Sequence, residues 1–288
     1  MNRRLLICTD LDRTLIPNGH QPESPTARKH FATLAAHPQV TLVFVSGRHR
    51  ALVEQAIEDY QLPCPDFVIA DVGTTIYHVG SEHDWLRQDD WTHTIAGDWG
   101  GRFHEQLATL LADLDALRLQ ERKLQNEHKL SYYTALRCER EILAAKIHAR
   151  LGPHAIQARL IWSIDEPAGV GLLDVVPAQA SKYHAIEALM RQQEFSAREC
   201  VFCGDSGNDI EVLASPIPAV LVANSEPSVR ELALRLAADG GFSGQLYIAR
   251  GGFHDMNGNY SAGALEGIAH FFPHAEDWMG FDAGGSRR

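Results

Sequence analysis

The sequence predicts an α/β fold built on a parallel sheet, with a smaller α+β module inserted in it. Three observations carry that expectation: short runs that are apolar throughout, helical spacing between them, and a middle stretch that breaks the alternation. The runs are Leu5 to Cys8, Thr41 to Val45, Phe67 to Ala70, Cys200 to Cys203 and Ala219 to Val222. Continuous apolar character over so few residues suits strands covered on both faces, as in a parallel sheet. Ser24-Pro25 reads as an N-cap with proline at the first helical position, opening a helix through Ala36. Arg48 to Tyr60, Lys182 to Glu194 and Ser228 to Ala237 carry helical spacing, and Ser228 with Glu231 has the form of a capping box. Strand and helix in alternation imply crossover connections.

The alternation stops between about Glu82 and Gly169. A Trp- and His-rich loop leads to a helix with apolar Phe103, Leu107, Leu110, Leu111 and Leu114. His128 to Thr134 alternates like a half-buried strand, with Leu130 and Tyr132 on one face and Lys129, Ser131 and Tyr133 on the other. A helix from Glu139 to Leu151 and a strand near Gln157 to Ile164 follow. Residues 1–81 and 170–288 are thus expected to form the core and 82–169 the insert. Trp85, Trp91 and Trp99 read as packing residues near the hinge, and the end after Phe281 as a frayed tail.

Composition narrows the function. The 288 residues are 45% hydrophobic and 22% charged, with a formal net charge of −11. That charge disfavours nucleic acid and anionic membrane surfaces as partners, because both attract basic faces. An anionic substrate would need a local cluster of cations. With no apolar run of about 18 residues and no signal-peptide pattern, a cytoplasmic location is expected. Five cysteines, an odd number in a chain too long to need disulfide staples, fit a reducing compartment. Cys200 and Cys203 form a CxxC inside an apolar strand, which reads as core packing. The histidines show no paired-ligand spacing that would suggest zinc.

Four polar clusters stand where the predicted strands end, the usual ligand position in open α/β sheets. They are Asp10-Leu11-Asp12-Arg13-Thr14, Ser46-Gly47, Lys182 at a helix start, and Gly204-Asp205-Ser206-Gly207-Asn208-Asp209. Each alone has a structural reading as cap, turn or solvated residue. Phosphoryl transfer explains the set. A phosphomonoester is a dianion, so a carboxylate nucleophile needs charge neutralised before it can approach. Asp10 and Asp205, with Asp209 holding a coordinated water, would offer Mg²⁺ its preferred oxygen ligands. Ser46 and Lys182 can grip the other phosphoryl oxygens, and Asp12 can exchange a proton with the leaving alkoxide and the attacking water.

In this order the stretches DLDRT, SGR, ASK and GDSGND resemble the four motifs of the haloacid dehalogenase superfamily. The resemblance implies that Asp10 is the nucleophile, Asp12 the acid/base, and Ser46 and Lys182 phosphate ligands. Gly47 and Asn208 join the substrate-binding set, and Asp10, Asp12, Asp205 and Asp209 the metal set. It also implies a Rossmann-like core and a C2B-type cap inserted between the second and third motifs. Within the sugar-phosphatase branch the chain is most similar to the sucrose-phosphate phosphatases. The matching stretches are Val72-Gly73-Thr74, His128-Lys129-Leu130-Ser131-Tyr132-Tyr133, Leu173-Asp174-Val175-Val176-Pro177 and Asn259 to Gly267. That similarity makes Lys129 a sugar-binding candidate, while Arg13 stands where His or Asn is expected. A sugar-phosphate mutase and a non-catalytic sugar-phosphate binder are the competing classes. The single helix between Thr14 and Ser46 disfavours the first, and the complete set Asp10, Asp12, Lys182 and Asp205 disfavours the second. The reading leaves the oligomeric state and the particular sugar open.

Overall fold

The computed structural model describes residues 4–80, 84–165 and 168–281. The larger sheet contains β1 (Leu5–Thr9), β2 (Val40–Val45), β3 (Phe67–Ala70), β4 (Thr75–Val79), β5 (Trp85–Arg87), β10 (Cys200–Gly204), β11 (Ala219–Leu221) and β12 (Leu246–Ile248). Its order is β12-β11-β10-β1-β2-β3-β4-β5. Pairing is parallel from β12 to β3, and β4 and β5 close one edge as antiparallel strands. The smaller sheet is antiparallel, with β6 (Arg118–Leu119), β7 (Leu130–Thr134), β9 (Val170–Pro177) and β8 (Ala158–Asp165) in that order.

Alternation along β1 explains why the large sheet is buried on both sides. Leu5 and Ile7 face one apolar cluster, with Phe44, Phe31 and Leu265; Leu6 and Cys8 face another, with Val43, Ile186 and Phe202. Each fully buried Leu, Ile or Phe contributes about 1.5–3 kcal/mol to folding. Helices α1 (Ala27–Ala35), α2 (Arg50–Tyr60) and α9 (Ser261–Phe271) cover the first face. Helices α3 (Asp89–Ala96), α6 (Lys182–Gln192), α7 (Ile210–Leu213) and α8 (Pro227–Asp239) cover the second. In the smaller unit, α4 (His104–Leu110) and α5 (Arg140–Leu151) pack Leu107, Leu143, Ile147 and Leu151 against Leu130, Tyr132, Leu173 and Val175.

The expected boundaries of the insert shift. β5 pairs with β4 in the large sheet, and Trp91 and Ile95 of α3 pack beneath that sheet, so residues 84–96 belong to the core. β9 lies between β7 and β8, so residues 170–177 belong to the cap. Both moves have one cause: hydrogen-bonded strand partners, which the apolar pattern does not name, decide membership. Two caps also differ from expectation. Ser24 does not cap α1, which begins at Ala27; its hydroxyl instead accepts from the Asn257 N–H at 3.0 Å. Ser228 lies inside α8, whose first residue is Pro227. Phe103 precedes α4 and is 44% exposed, so only part of its expected apolar stripe is buried.

Cys200 and Cys203 are free thiols on opposite faces of β10, one in each core cluster, as the packing reading requires. Trp85, Trp91 and Trp99 are buried in three different clusters, and Trp91 Nε1 donates to the Gly73 carbonyl at 2.9 Å. No helix among the described residues is long and apolar enough to cross a membrane. The tail after Phe281 lies outside the described residues, apart from Phe281 itself.

Candidate active site

Strand order reverses around β1, since β2 lies on one side and β10 on the other. Open α/β sheets leave a crevice at the carboxyl ends of such strands. Asp10 follows β1, Ser46 follows β2 and Asp205 follows β10, so three of the expected clusters meet there. Lys182 is the first residue of α6, whose N-cap Ser181 accepts the His184 N–H through its hydroxyl.

Asp10, Asp205 and Asp209 each present a carboxylate oxygen within 4.8 Å of the others, and all three are buried. Lys182 Nζ reaches Asp10 Oδ2 at 3.1 Å and Asp209 Oδ1 at 2.6 Å. The other Asp10 oxygen accepts the Leu11 N–H at 2.8 Å. Asp209 Oδ2 accepts the N–H groups of Asp205 and Ser206 at 3.1 and 3.0 Å, which folds the 205–209 turn around its own carboxylate. Gly204 is required beneath it, because a Cβ there would lie 2.6 Å from Asp209 Oδ2.

Charge is unbalanced in this cluster. Burial, opposed by Lys182 and reinforced by Asp209 and Asp12, pushes Asp10 up to about 7. Burial, with Asp209 and Asp10 adding to it, pushes Asp205 up to about 8 despite Arg13 and Lys182. Burial alone would lower Lys182, yet Asp10 and Asp209 override it and raise its pKa. Lys182, even with the Arg13 guanidinium 3.3 Å from Asp205, does not neutralise three buried carboxylates. An all-oxygen donor set with excess negative charge fits a hard divalent cation.

The Asp12 side chain lies outside the three-acid cluster. Its oxygens instead accept from Arg48 Nη2 and Nε at 2.7 and 2.8 Å, and from Asn18 Nδ2 at 2.7 Å. A guanidinium fork matches a carboxylate edge, and this fixes the Asp12 side chain. Ser46 is fully buried, and its hydroxyl accepts the Arg48 N–H at 3.1 Å. Gly47 lies in the same turn. Asn208 is half-buried and accepts from the Ser206 hydroxyl at 3.0 Å. Arg13 adopts a left-handed φ of +58° and brings Nε within 3.3 Å of Asp205 Oδ2. The expected departure at this position thus becomes a cation beside an acid of the cluster.

Residues 3–272 match the family model of sucrose-6F-phosphate phosphohydrolase. The chain belongs to this family. With the family come the phosphoric monoester hydrolases of the haloacid dehalogenase superfamily. A putative haloacid dehalogenase-like hydrolase of Nitrosococcus oceani is 52% identical over 97% of this chain and 75% of its own length. Sucrose-phosphatase 1 of Nicotiana tabacum is 27% identical over 93% of this chain and 59% of its own. The chain thus spans little more than half the length of that plant relative. The crystal structure of the sucrose-phosphatase from Synechocystis sp. PCC6803, in complex with sucrose and phosphate, aligns with a TM-score of 0.72. It covers 93% of this chain and 98% of that one at 23% identity, and so shows that the fold is shared.

Two residues of this family member escaped the sequence reading. Arg48 belongs to the SGR motif, but no role followed from its position. Asp71 directly follows β3, as Asp10 follows β1, and that placement was the available signal. Lys129 is buried, 5% exposed, with Nζ 3.1 Å from Asp71 Oδ1.

Proposed function

We propose that the chain hydrolyses the phosphomonoester of a sugar phosphate, sucrose 6-phosphate or a related phosphorylated disaccharide, through an aspartyl-phosphate on Asp10. The observation that carries this reading is the Asp10 carboxylate at the end of β1. It is held at 3.1 Å from the Lys182 ammonium and grouped with Asp205 and Asp209. Mg²⁺ held by Asp10, Asp205 and Asp209 would supply positive charge for the phosphoryl oxygens.

In this reading an Asp10 oxygen attacks phosphorus while the bond from phosphorus to the sugar oxygen breaks. Lys182 and the Ser46 hydroxyl, with the Gly47 and Asn208 turns beside them, hold phosphoryl oxygens as charge redistributes. Asp12 gives a proton to the leaving alkoxide, then takes one from the water that attacks the acyl phosphate, and inorganic phosphate departs. Arg48 engages both Asp12 oxygens, so in this reading the fork opens before Asp12 reaches the leaving oxygen. The β1–β2 connection holds a single helix, α1, which supports hydrolase over mutase, because mutases of this superfamily usually carry a helical cap there.

The small sheet would supply selectivity. Its helix-free face carries Ser131, Asp174 and Arg159 toward the core, and Ile161 and Val176 from that face pack into a core cluster. A cap seated in this way excludes water from the phosphoryl centre. The test is a phosphate-release screen with Mg²⁺ over sucrose 6-phosphate, mannosylfructose phosphate and glucose 6-phosphate. The expected result is a clear preference for a phosphorylated disaccharide. Preference for glucose 6-phosphate would overturn the substrate assignment, and no release from any ester would overturn the phosphatase reading.

A further inference from the structure

A buried ion pair crosses the seam between cap and core, and the phosphoryl chemistry does not use it. Lys129 and Asp71 meet at 3.1 Å with side chains 7% and 4% exposed. The other Asp71 oxygen accepts from Asn126 Nδ2 at 2.8 Å, and that amide also reaches Thr75 Oγ1 at 2.9 Å. Both oxygens of one core carboxylate are thus occupied by donors from a single cap loop. Burial opposes the Lys129 charge, but Asp174 and Asp71 outweigh it and raise its pKa, which favours the ammonium.

The backbone that carries Asp71 is itself unusual. Asp71 and Val72 both have left-handed φ values, +53° and +55°, a conformation that crowds any residue with a Cβ. Contacts on the phosphate side hold it there. The Asp71 N–H donates to the Arg48 carbonyl at 3.0 Å, and the Val72 N–H to the Ser46 carbonyl at 3.1 Å. Gly73, at φ +98°, packs so closely on Ser181 that a Cβ would lie 2.4 Å from its carbonyl. One short loop therefore touches the Ser46 turn and the start of the Lys182 helix through its backbone, and the cap through its side chain.

We propose that Asp71 is a positioning residue that holds Lys129 at the seam and so sets the sugar-facing strand of the cap in register with Ser46 and Lys182. The proposal rests on the sugar-phosphatase reading, because its consequence is selectivity. A cap out of register costs most for a substrate whose leaving group reaches the cap, and least for a small ester.

The experiment compares kcat/KM for the best sugar phosphate of the screen with that for p-nitrophenyl phosphate. The variants are Asp71→Asn, Lys129→Met, Lys129→Arg and the Asp71→Asn/Lys129→Met double. Asparagine tolerates the left-handed φ and can still accept from Asn126, so the first variant removes chiefly the charge. The expected result is a loss on the sugar phosphate about tenfold larger than on p-nitrophenyl phosphate for Asp71→Asn and Lys129→Met. Lys129→Arg, which keeps a cation, restores much of the selectivity, and the double variant is no worse than the poorer single, as for residues acting as one unit. Equal losses on both esters from Asp71→Asn, or losses that multiply in the double variant, would overturn the proposal while leaving the phosphatase reading intact. A wild type inactive on both esters would overturn both. If Asp71→Asn does not fold, Asn126→Ala, which removes the other donor to Asp71 and leaves Lys129 in place, takes its part: a loss concentrated on the sugar phosphate supports the proposal, and equal losses on both esters overturn it.

Discussion

Lys182 and Lys129 are both buried ammonium groups raised in pKa by carboxylates, yet they belong to different kinds of site. Lys182 meets Asp10 and Asp209, which reach it from turns at the ends of neighbouring strands of one sheet. Lys129 meets Asp71 across the seam between two sheets. In the proposed function the first arrangement binds what all phosphate esters share, and the second joins the substrate-selecting cap to that centre. In that reading chemistry and selectivity sit on separate ion pairs, and the 71–73 loop connects them through its backbone and its side chain.

The separation can be broken most severely at the metal. Activity on every ester should vanish in excess chelator and return with Mg²⁺ but not with Zn²⁺, because the clustered donors are all carboxylate oxygens. Full phosphate release from protein with no measurable metal would remove the divalent cation from the account. Next in size, Lys182→Met should lower kcat on sugar phosphate and p-nitrophenyl phosphate alike, by about 100-fold or more, since the lost cation faces the phosphoryl group in both. A loss confined to sugar phosphates would erase the distinction from Lys129.

Arg13 sharpens the comparison on the metal side. Its guanidinium lies 3.3 Å from Asp205 and therefore opposes a second cation there. In Arg13→Asn, divalent-cation binding measured by calorimetry should tighten about three- to tenfold, the size of one removed charge repulsion of about 1 kcal/mol when screened as in water. Weaker binding would mean that Arg13 serves the metal site by holding Asp205 in place. The smallest effect is expected at Arg159 and Glu211, another ion pair between cap and core, 2.6 Å apart and about a third exposed on each side. Arg159→Ala should cost about 1 kcal/mol or less in denaturant unfolding, because solvent screens such pairs. A larger cost, with selectivity lost as well, would show that Arg159 also sets the cap on the core.

The phosphoryl centre was legible because its residues sit inside short motifs at strand ends, where local spacing and sheet geometry coincide. Asp10, Ser46, Lys182, Asp205 and Asp209 fell where the alternation of strand and helix put them. Asp12 was recognised as a site residue, but its bidentate partner was not, because Arg48 meets it across 36 positions of sequence. The two faces of β7 could be read from alternation, and Leu130 and Tyr132 do pack on the cap helices. What Lys129 faces could not, since its partner lies 58 residues away on another sheet. The cap boundaries failed for the same reason: β5 and β9 are assigned by their hydrogen-bonded neighbours, and their own apolar content does not reveal which sheet those belong to.

Asp10 is the residue on which the proposed mechanism turns. Phosphate release by wild type and Asp10→Asn should be measured side by side on the best sugar phosphate with Mg²⁺, with folding of the variant checked by circular dichroism. The amide is nearly isosteric but a poor nucleophile and a weaker metal ligand, so the folded variant should retain less than about a thousandth of the wild-type rate. Release within about threefold of wild type from a correctly folded Asp10→Asn protein would contradict the aspartyl-phosphate mechanism and the role assigned to this site.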